Sequence, residues 1–197
     1  MIRHGPTKEN AEGIFMGRMD AFCTPEALSA ASALGHTLML PEHSHLFTSP
    51  LQRCLGTAEA VFSGRVAQID ARLTERDLGK WGGCSKKLLR VACPEAFLPS
   101  GRLDPYFTPP SGESLIDFCQ RVAAFLKMVA TMGSDNATIV VVSHNGVIRL
   151  TRYLLEGLPI EQLFAEGEPH LAPSTFICDP LSDPFFESRV MQICGRS

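Results

Sequence analysis

The run Ile139-Val140-Val141-Val142 constrains the fold more than any other stretch of the chain. Four consecutive β-branched residues suit a strand covered on both faces and sit less well in a helix. Ser143-His144-Asn145-Gly146 follows at once, and Val147 to Leu155 then reads as a helix. A strand of this kind needs helices on both sides of its sheet, as in parallel α/β architectures. Ligands of such sheets bind beyond the carboxyl ends of the strands. His144 stands in that position.

The rest of the chain supplies the partners. Thr24-Pro25-Glu26 opens a helix, with Thr24 as cap and Pro25 in the first turn, that runs to Leu34 and ends at Gly35. His45 to Ser49 reads as a strand, and Ser49-Pro50 caps a helix running to about Phe62. Val66 to Ile69 is a further short strand. Leu115, Phe118, Val122, Phe125, Leu126 and Val129 recur at helical spacing between Ser114 and Met132. Thr175 to Cys178 and Arg189 to Ile193 read as late strands. Met1-Ile2 reads as the tail of a strand, which puts Arg3 and His4 at a carboxyl end like that of His144. The alternation of strands and helices argues an α/β domain with a largely parallel sheet. Residues 70 to 113 are the least regular part. With Gly79, Gly82, Gly83 and five prolines from Pro94 to Pro110, they read as a lid or insertion around 84–110 over a site, carrying a short helix near Lys86 to Val91.

The 197 residues suffice for one domain with a substantial core. A net charge of −3 gives no nucleic-acid footprint, so any anion site must be a local cluster of Arg and His. No apolar run approaches the ~18 residues of a membrane span, and no basic-then-apolar segment opens the chain. The seven cysteines form no C-x-x-C pair, which argues against a disulfide framework or zinc knuckle and for reduced thiols in a cytoplasmic protein. The oligomeric state is not written in the sequence; a homodimer is one arrangement it allows.

Arg3, His4, Arg53 and His144 all fall after strand-like runs or at helix starts. Two guanidinium groups match phosphate oxygens, and an imidazole can attack phosphorus. Two histidines at strand ends could also be metal ligands, but no neighbouring carboxylate completes a set. His36, His43, His45 and His170 read as solvated side chains, Trp81 as packing, and Ser49 as a helix cap. Arg121 and Arg149 read as solvated or structural charges, and Lys86, Lys87 and Arg90 as a solvated helix face, with contact to the far part of a substrate as the alternative.

Five segments in order resemble the histidine phosphatase superfamily, in its phosphoglycerate mutase-like branch. They are Arg3-His4-Gly5-Pro6-Thr7-Lys8-Glu9-Asn10 with the loop Gly17-Arg18-Met19-Asp20; Thr48-Ser49-Pro50-Leu51-Gln52-Arg53-Cys54 through Ala58; Leu73-Thr74-Glu75 through Gly83; Ser111-Gly112-Glu113-Ser114 with Arg121; and Val142-Ser143-His144-Asn145-Gly146 through Arg149. The resemblance implies a three-layer α/β/α sandwich with a largely parallel central sheet. It implies a metal-independent phosphatase, without cofactor, acting on a small phosphorylated metabolite. His4 would be the nucleophile that forms a phosphohistidine; Arg3, Arg53 and His144 would surround the phosphoryl group, and Glu75 would be the general acid. Asn10, Gly17 and Asn145 would contact the substrate. Because Asn145 rather than Asp follows His144, the acid is assigned to Glu75. A cofactor-dependent phosphoglycerate-type mutase is the alternative, and a non-catalytic phospho-ligand-binding module a weaker one. The short 84–110 region favours hydrolysis. Family members also carry several apolar residues before the Arg-His-Gly triplet, forming a central strand. Only Met1 and Ile2 precede it here, so either the start lies upstream or the strand is short.

Overall fold

The computed structural model describes residues 1–132, 137–160 and 167–194. Four parallel strands form one sheet in the order β1-β4-β2-β3: β1 (Ile2–Arg3), β2 (His45–Thr48), β3 (Gln68–Ile69) and β4 (Ile139–Ser143). The helices are α1 (Lys8–Ala11), α2 (Pro25–Thr37), α3 (Gln52–Phe62), α4 (Lys86–Ala92), α5 (Leu115–Ala130), α6 (Asn145–Glu156) and α7 (Phe186–Cys194).

The valine run behaves as its composition requires. Val140 and Val142 pack with Ala31, Cys54, Ala58 and Val61 of α2 and α3 on one face of the sheet. Val141 points the other way, into Phe118, Val122, Phe125 and Leu126 of α5 and Val147, Leu150 and Leu154 of α6. Leu46 and Phe47 of β2 divide in the same manner between the two cores. A period-two strand with apolar residues at every position therefore yields three layers. Each valine so buried contributes about 1.5–3 kcal/mol. Thr24 caps α2, accepting from the Ala27 N–H at 3.2 Å, and Ser114 caps α5, accepting from Asp117 at 3.0 Å.

Four expectations are corrected. Gly35 does not end α2 but lies within it, where a Cβ would fall 2.3 Å from the Val61 carbonyl oxygen; its role is to let α2 approach α3. Ser49 is not the cap of α3. Leu51 holds that position without a side-chain bond, and Ser49 Oγ accepts from the Leu51 N–H at 3.4 Å. Residues 175–178 have no regular structure, and residues 189–193 belong to the helix α7, whose Phe186 and Ile193 enter the core. Finally, β1 is an edge strand of this sheet rather than a central one. Its outer side is covered by residues 168–174: the Leu171 N–H donates to Arg3 O at 3.0 Å, Ser174 to Met1 O at 2.8 Å, and Ile2 bridges Pro173 antiparallel. The ladder groups of the two-residue strand are thus satisfied on both sides, and Ile2 is buried.

Cys23, Cys54, Cys84, Cys93, Cys119 and Cys178 are free thiols. Among the described residues no helix is long and apolar enough to cross a membrane.

Candidate active site

Strand register brings the two histidines together. Arg3 of β1 pairs with Ser143 of β4, and the His4 N–H donates to Ser143 O at 2.9 Å. His4 and His144 leave the sheet side by side, ring centroids 5.2 Å apart and 61° between planes. The next residue, Gly5, is packed so closely that a Cβ would lie 3.1 Å from Ala27 Cβ and 3.3 Å from Cys23 Sγ. Its carbonyl faces His4 Nδ1 at 2.8 Å. A carbonyl only accepts, so Nδ1 carries the proton and Nε2 keeps its lone pair. Burial, then the Arg53 guanidinium, holds His4 well below the ordinary histidine range. Burial followed by His4 and Arg53 does the same to His144. Both rings are neutral at pH 7.

Arg3 donates Nη1–H to Glu168 O at 2.5 Å. Arg53 is completely buried in the first turn of α3 and donates to Met19 O and Gly17 O, both at 2.7 Å. The Nε–H of each has no hydrogen-bond partner among the described residues. Two rigidly held guanidinium groups beside a neutral imidazole make a site suited to an oxyanion.

Glu75 stands on the loop that follows β3. The Gly146 N–H, in the first turn of α6, donates to its Oε2 at 3.1 Å, and the Arg76 N–H donates to Oε1 at 2.9 Å. The loop is pinned from behind by Arg121 of α5, which donates to the carbonyls of Arg72, Thr74 and Glu75 at 2.7–3.1 Å. The same guanidinium pairs with Glu113, Nε to Oε1 at 2.6 Å and Nη2 to Oε2 at 2.9 Å. Arg121 is therefore a structural charge, as its sequence position suggests. The buried Arg76 reaches the other way, to the carbonyls of Glu113, Pro105 and Phe107 at 2.8–3.0 Å, and ties the 105–113 segment to the Glu75 loop.

His4, Arg3, Arg53, Glu75, Asn10, Gly17 and Asn145 all border one cavity of about 470 Å³. His144 does not; it lies fully buried behind His4, with Nε2 2.8 Å from Ser49 Oγ. Asn10 uses its carbonyl oxygen to accept from the Thr7 N–H at 3.1 Å in a capping box, so its amide nitrogen is the group it can offer a ligand. Asn145 Oδ1 accepts from the Glu168 N–H at 2.8 Å. Gly17 adopts φ +51°, and a Cβ there would lie 2.9 Å from the Leu78 amide nitrogen. Trp81 packs between Phe15, Phe97 and Phe107 beneath the 84–110 segment. Among the described residues no group of three His, Cys, Asp or Glu side chains could hold a metal ion.

His170 departs from its sequence reading as a solvated residue. It is half-buried, its ring lies 5.2 Å from that of His4, and its Nδ1–H donates to His4 O at 2.6 Å. Lys86, half-buried, and Arg149, buried, also border the cavity; Arg90 borders it too but stays exposed, as a solvated helix face implies. No local pattern marks His170 or Arg149, since the segments they meet are far away in the chain.

The comparisons with known proteins agree with this geometry. A family model described as "Histidine phosphatase superfamily (branch 1)" matches residues 1–174. A glucosyl-3-phosphoglycerate phosphatase of Mycolicibacterium vanbaalenii is 31% identical over 169 residues, 82% of this chain and 75% of that protein. A 2,3-bisphosphoglycerate-dependent phosphoglycerate mutase of Rhizobium etli is 29% identical over 184 residues, 89% of this chain and 88% of the mutase. Among solved structures, a mycobacterial glucosyl-3-phosphoglycerate phosphatase complexed with VO3 superposes with a TM-score of 0.76 at 27% identity, covering 87% of this chain and 88% of that one. Matching sequence over most of the chain, the same fold in a phosphatase, and an Arg-His pair at the end of β1 lead to one assignment: the chain belongs to the histidine phosphatase superfamily, branch 1.

Proposed function

We propose that this chain is a phosphatase that hydrolyses a small phosphomonoester through a phosphohistidine on His4. The observation that carries the reading is the Nδ1–H bond from His4 to Gly5 O at 2.8 Å, made by a buried ring that borders the cavity. It leaves Nε2 unprotonated and aimed away from its own backbone, the state a nucleophile needs.

Nε2 attacks phosphorus as the ester P–O bond breaks, and Glu75 gives its proton to the leaving alkoxide. Water then attacks the phosphohistidine. Glu75 takes a proton from it, the P–N bond breaks, and phosphate leaves. Arg3 and Arg53 offset the charge on the equatorial oxygens, a task that phosphoryl transfer sets above all others. His144 packs edge-on against His4 from behind, outside the cavity, so it acts on the phosphoryl group only by holding the nucleophile's ring. Asn10, Gly17 and Asn145 border the substrate.

His4→Ala is expected to abolish both phosphate release and the acid-labile phosphoenzyme trapped from the wild type. Undiminished turnover by that variant would sink the mechanism. A mutase reading is favoured by one observation: this chain is 29% identical to the Rhizobium mutase over 88% of that protein's length. Supplying 3-phosphoglycerate with a trace of 2,3-bisphosphoglycerate decides between them. Phosphate release is expected; efficient isomerisation with little release would overturn the phosphatase reading.

A further inference from the structure

Two side chains outside the cavity hold one peptide group of the nucleophile's own backbone. The peptide between His4 and Gly5 presents a carbonyl at one end and an N–H at the other. The carbonyl accepts from His170 Nδ1–H at 2.6 Å, and the N–H donates to Thr57 Oγ1 at 2.9 Å. Neither His170 nor Thr57 borders the cavity. Both are themselves anchored. Thr57 is fully buried in α3 and donates its own proton to Arg53 O at 2.7 Å, which leaves its lone pairs for the Gly5 N–H. His170 stands between Glu168, whose carbonyl accepts from Arg3 Nη1–H, and Leu171, whose N–H donates to Arg3 O. Burial, then the charge of Arg3, holds His170 below the ordinary histidine range. The ring is neutral at pH 7, and its single N–H is the one spent on His4 O. This peptide needs holding. Gly5 has no Cβ, so the backbone turns easily there. Its carbonyl is the group that keeps the His4 proton on Nδ1. The other donor at that carbonyl, Cys23 Sγ at 3.3 Å, is a weak one. A turn at Gly5 would carry the carbonyl away and let the proton move to Nε2, the nitrogen that must keep its lone pair.

We propose that His170 and Thr57 are positioning residues that grip the His4–Gly5 peptide at its two ends and so set the tautomer of the nucleophile. The proposal deepens the phosphatase reading above and rests on it for the role of His4. The strand ladder fixes His4 only as far as its own N–H, which donates to Ser143 O. The peptide that follows lies beyond the ladder, and the two side chains take over where the sheet stops. His170 also meets the His4 ring, at 5.2 Å and 67° between planes, which limits the tilt of the imidazole. Thr57 ties the same peptide to the backbone of Arg53, so nucleophile and phosphate clamp share one support.

The test uses 4-nitrophenyl phosphate, whose leaving group departs without a proton, so the burst of nitrophenolate reports attack by His4 and not the proton of Glu75. His170→Leu and Thr57→Val are expected to slow that burst at least ~10-fold, while the calorimetric Kd for inorganic phosphate stays within about 3-fold. His170→Asn returns an amide N–H near the place of Nδ1, and Thr57→Ser returns the hydroxyl; both are expected to restore most of the rate. Nitrogen-15 NMR of histidine-labelled protein reads the tautomer directly, with His4 assigned by its loss in His4→Gln. The wild type is expected to show Nδ1–H alone, and the Leu and Val variants a mixture of both tautomers. Looser packing by itself would move neither the tautomer nor the rescue. His36→Leu, at the exposed end of α2, is expected to leave rate, Kd and tautomer alone. His170→Leu carries the decision, because it lies in a half-buried loop and is expected to fold even where the buried Thr57→Val does not. A His4 tautomer left intact in His170→Leu would overturn the proposal. If 4-nitrophenyl phosphate is not hydrolysed but the His4 tautomer still depends on His170, the phosphatase reading fails and the grip stands. If hydrolysis runs through His4 at the wild-type burst rate in both variants with the tautomer intact, the grip fails and the phosphatase reading stands.

Discussion

The Gly146 amide donates to Glu75 Oε2 at 3.1 Å, and a Cβ added to Gly146 would lie 2.2 Å from Glu75 Oε1. The carboxylate thus rests directly on the first turn of α6, in space that only glycine leaves open. The atom in the way is the far end of a flexible side chain, so it can swing aside at little cost to the fold. Gly146→Ala is therefore expected to keep a melting temperature within a few degrees of the wild type while losing about 10²-fold or more in kcat, the effect of misplacing a reacting group. Thermal melts beside steady-state kinetics check the separation; a variant that melts much earlier with kcat intact would show that the glycine serves packing instead.

The Glu113–Arg121 pair is the bracket behind the Glu75 loop. Its side chains are 9% and 16% exposed, and the guanidinium also serves three carbonyls. Arg121→Met strips those donors and leaves the Glu113 carboxylate half-buried beside the Asp77 N–H and Arg18. Breaking a pair of this kind costs about 3 kcal/mol, or roughly 6–12 °C in Tm for a chain of this size. Activity is expected to fall further than the melt alone accounts for, measured well below the transition. A loss of stability with full kcat would remove Arg121 from any part in holding Glu75.

Acid sensitivity follows from the two buried imidazoles. Both have folded-state pKa values depressed well below 6.5, chiefly by burial. As pH falls through about 6.5 the unfolded chain takes up protons that the folded chain refuses, so stability is lost from there downward until the folded pKa values are reached. The slope is up to ~1.4 kcal/mol per pH unit for each histidine, above the range where ordinary carboxylates titrate. Urea unfolding at pH 7.5, 6.5 and 5.5 should show the drop, and His144→Asn should flatten it. A pH-independent midpoint across that window would contradict the buried neutral state.

Two helical glycines separate close approach from mere propensity. At Gly35 a Cβ would lie 2.3 Å from the Val61 carbonyl oxygen, so Gly35→Ala must push α2 off α3, at a cost of about 1–3 kcal/mol. At Gly56, inside α3, the first neighbour is Leu28 Cδ2 at 3.4 Å, and Gly56→Ala is expected to stabilise by ~0.5–1 kcal/mol. Chemical denaturation of both variants should move in opposite directions.

Much of this was written in the chain. The valine run gave a strand with two covered faces because each residue had only apolar choices, and Thr24 marked a helix start because its hydroxyl precedes Pro25 at the first helical position. What misled were short apolar stretches. Arg189 to Ile193 fits a strand locally, yet Phe186, Val190 and Ile193 recur at helical spacing and all three face the core, so the longer window carried the signal. Gly35 reads as a helix end until the neighbouring helix is known. In the site, Arg3, His4, Arg53, Glu75 and the histidine after β4 were legible from segments in order. Arg149 and His170 were not, because what they face is decided by loops that meet only in the folded chain.

The covering of β1 has a consequence for synthesis. Residues 168–174 bind Arg3, His4 and Asn145 through Glu168 and His170, with His170 donating to a carbonyl 166 positions earlier. Arg3 and His4 therefore leave the ribosome long before Glu168 and His170, their partners in this covering, do. The nascent chain therefore carries the His4 imidazole without a finished seat until residues 168–174 have been made.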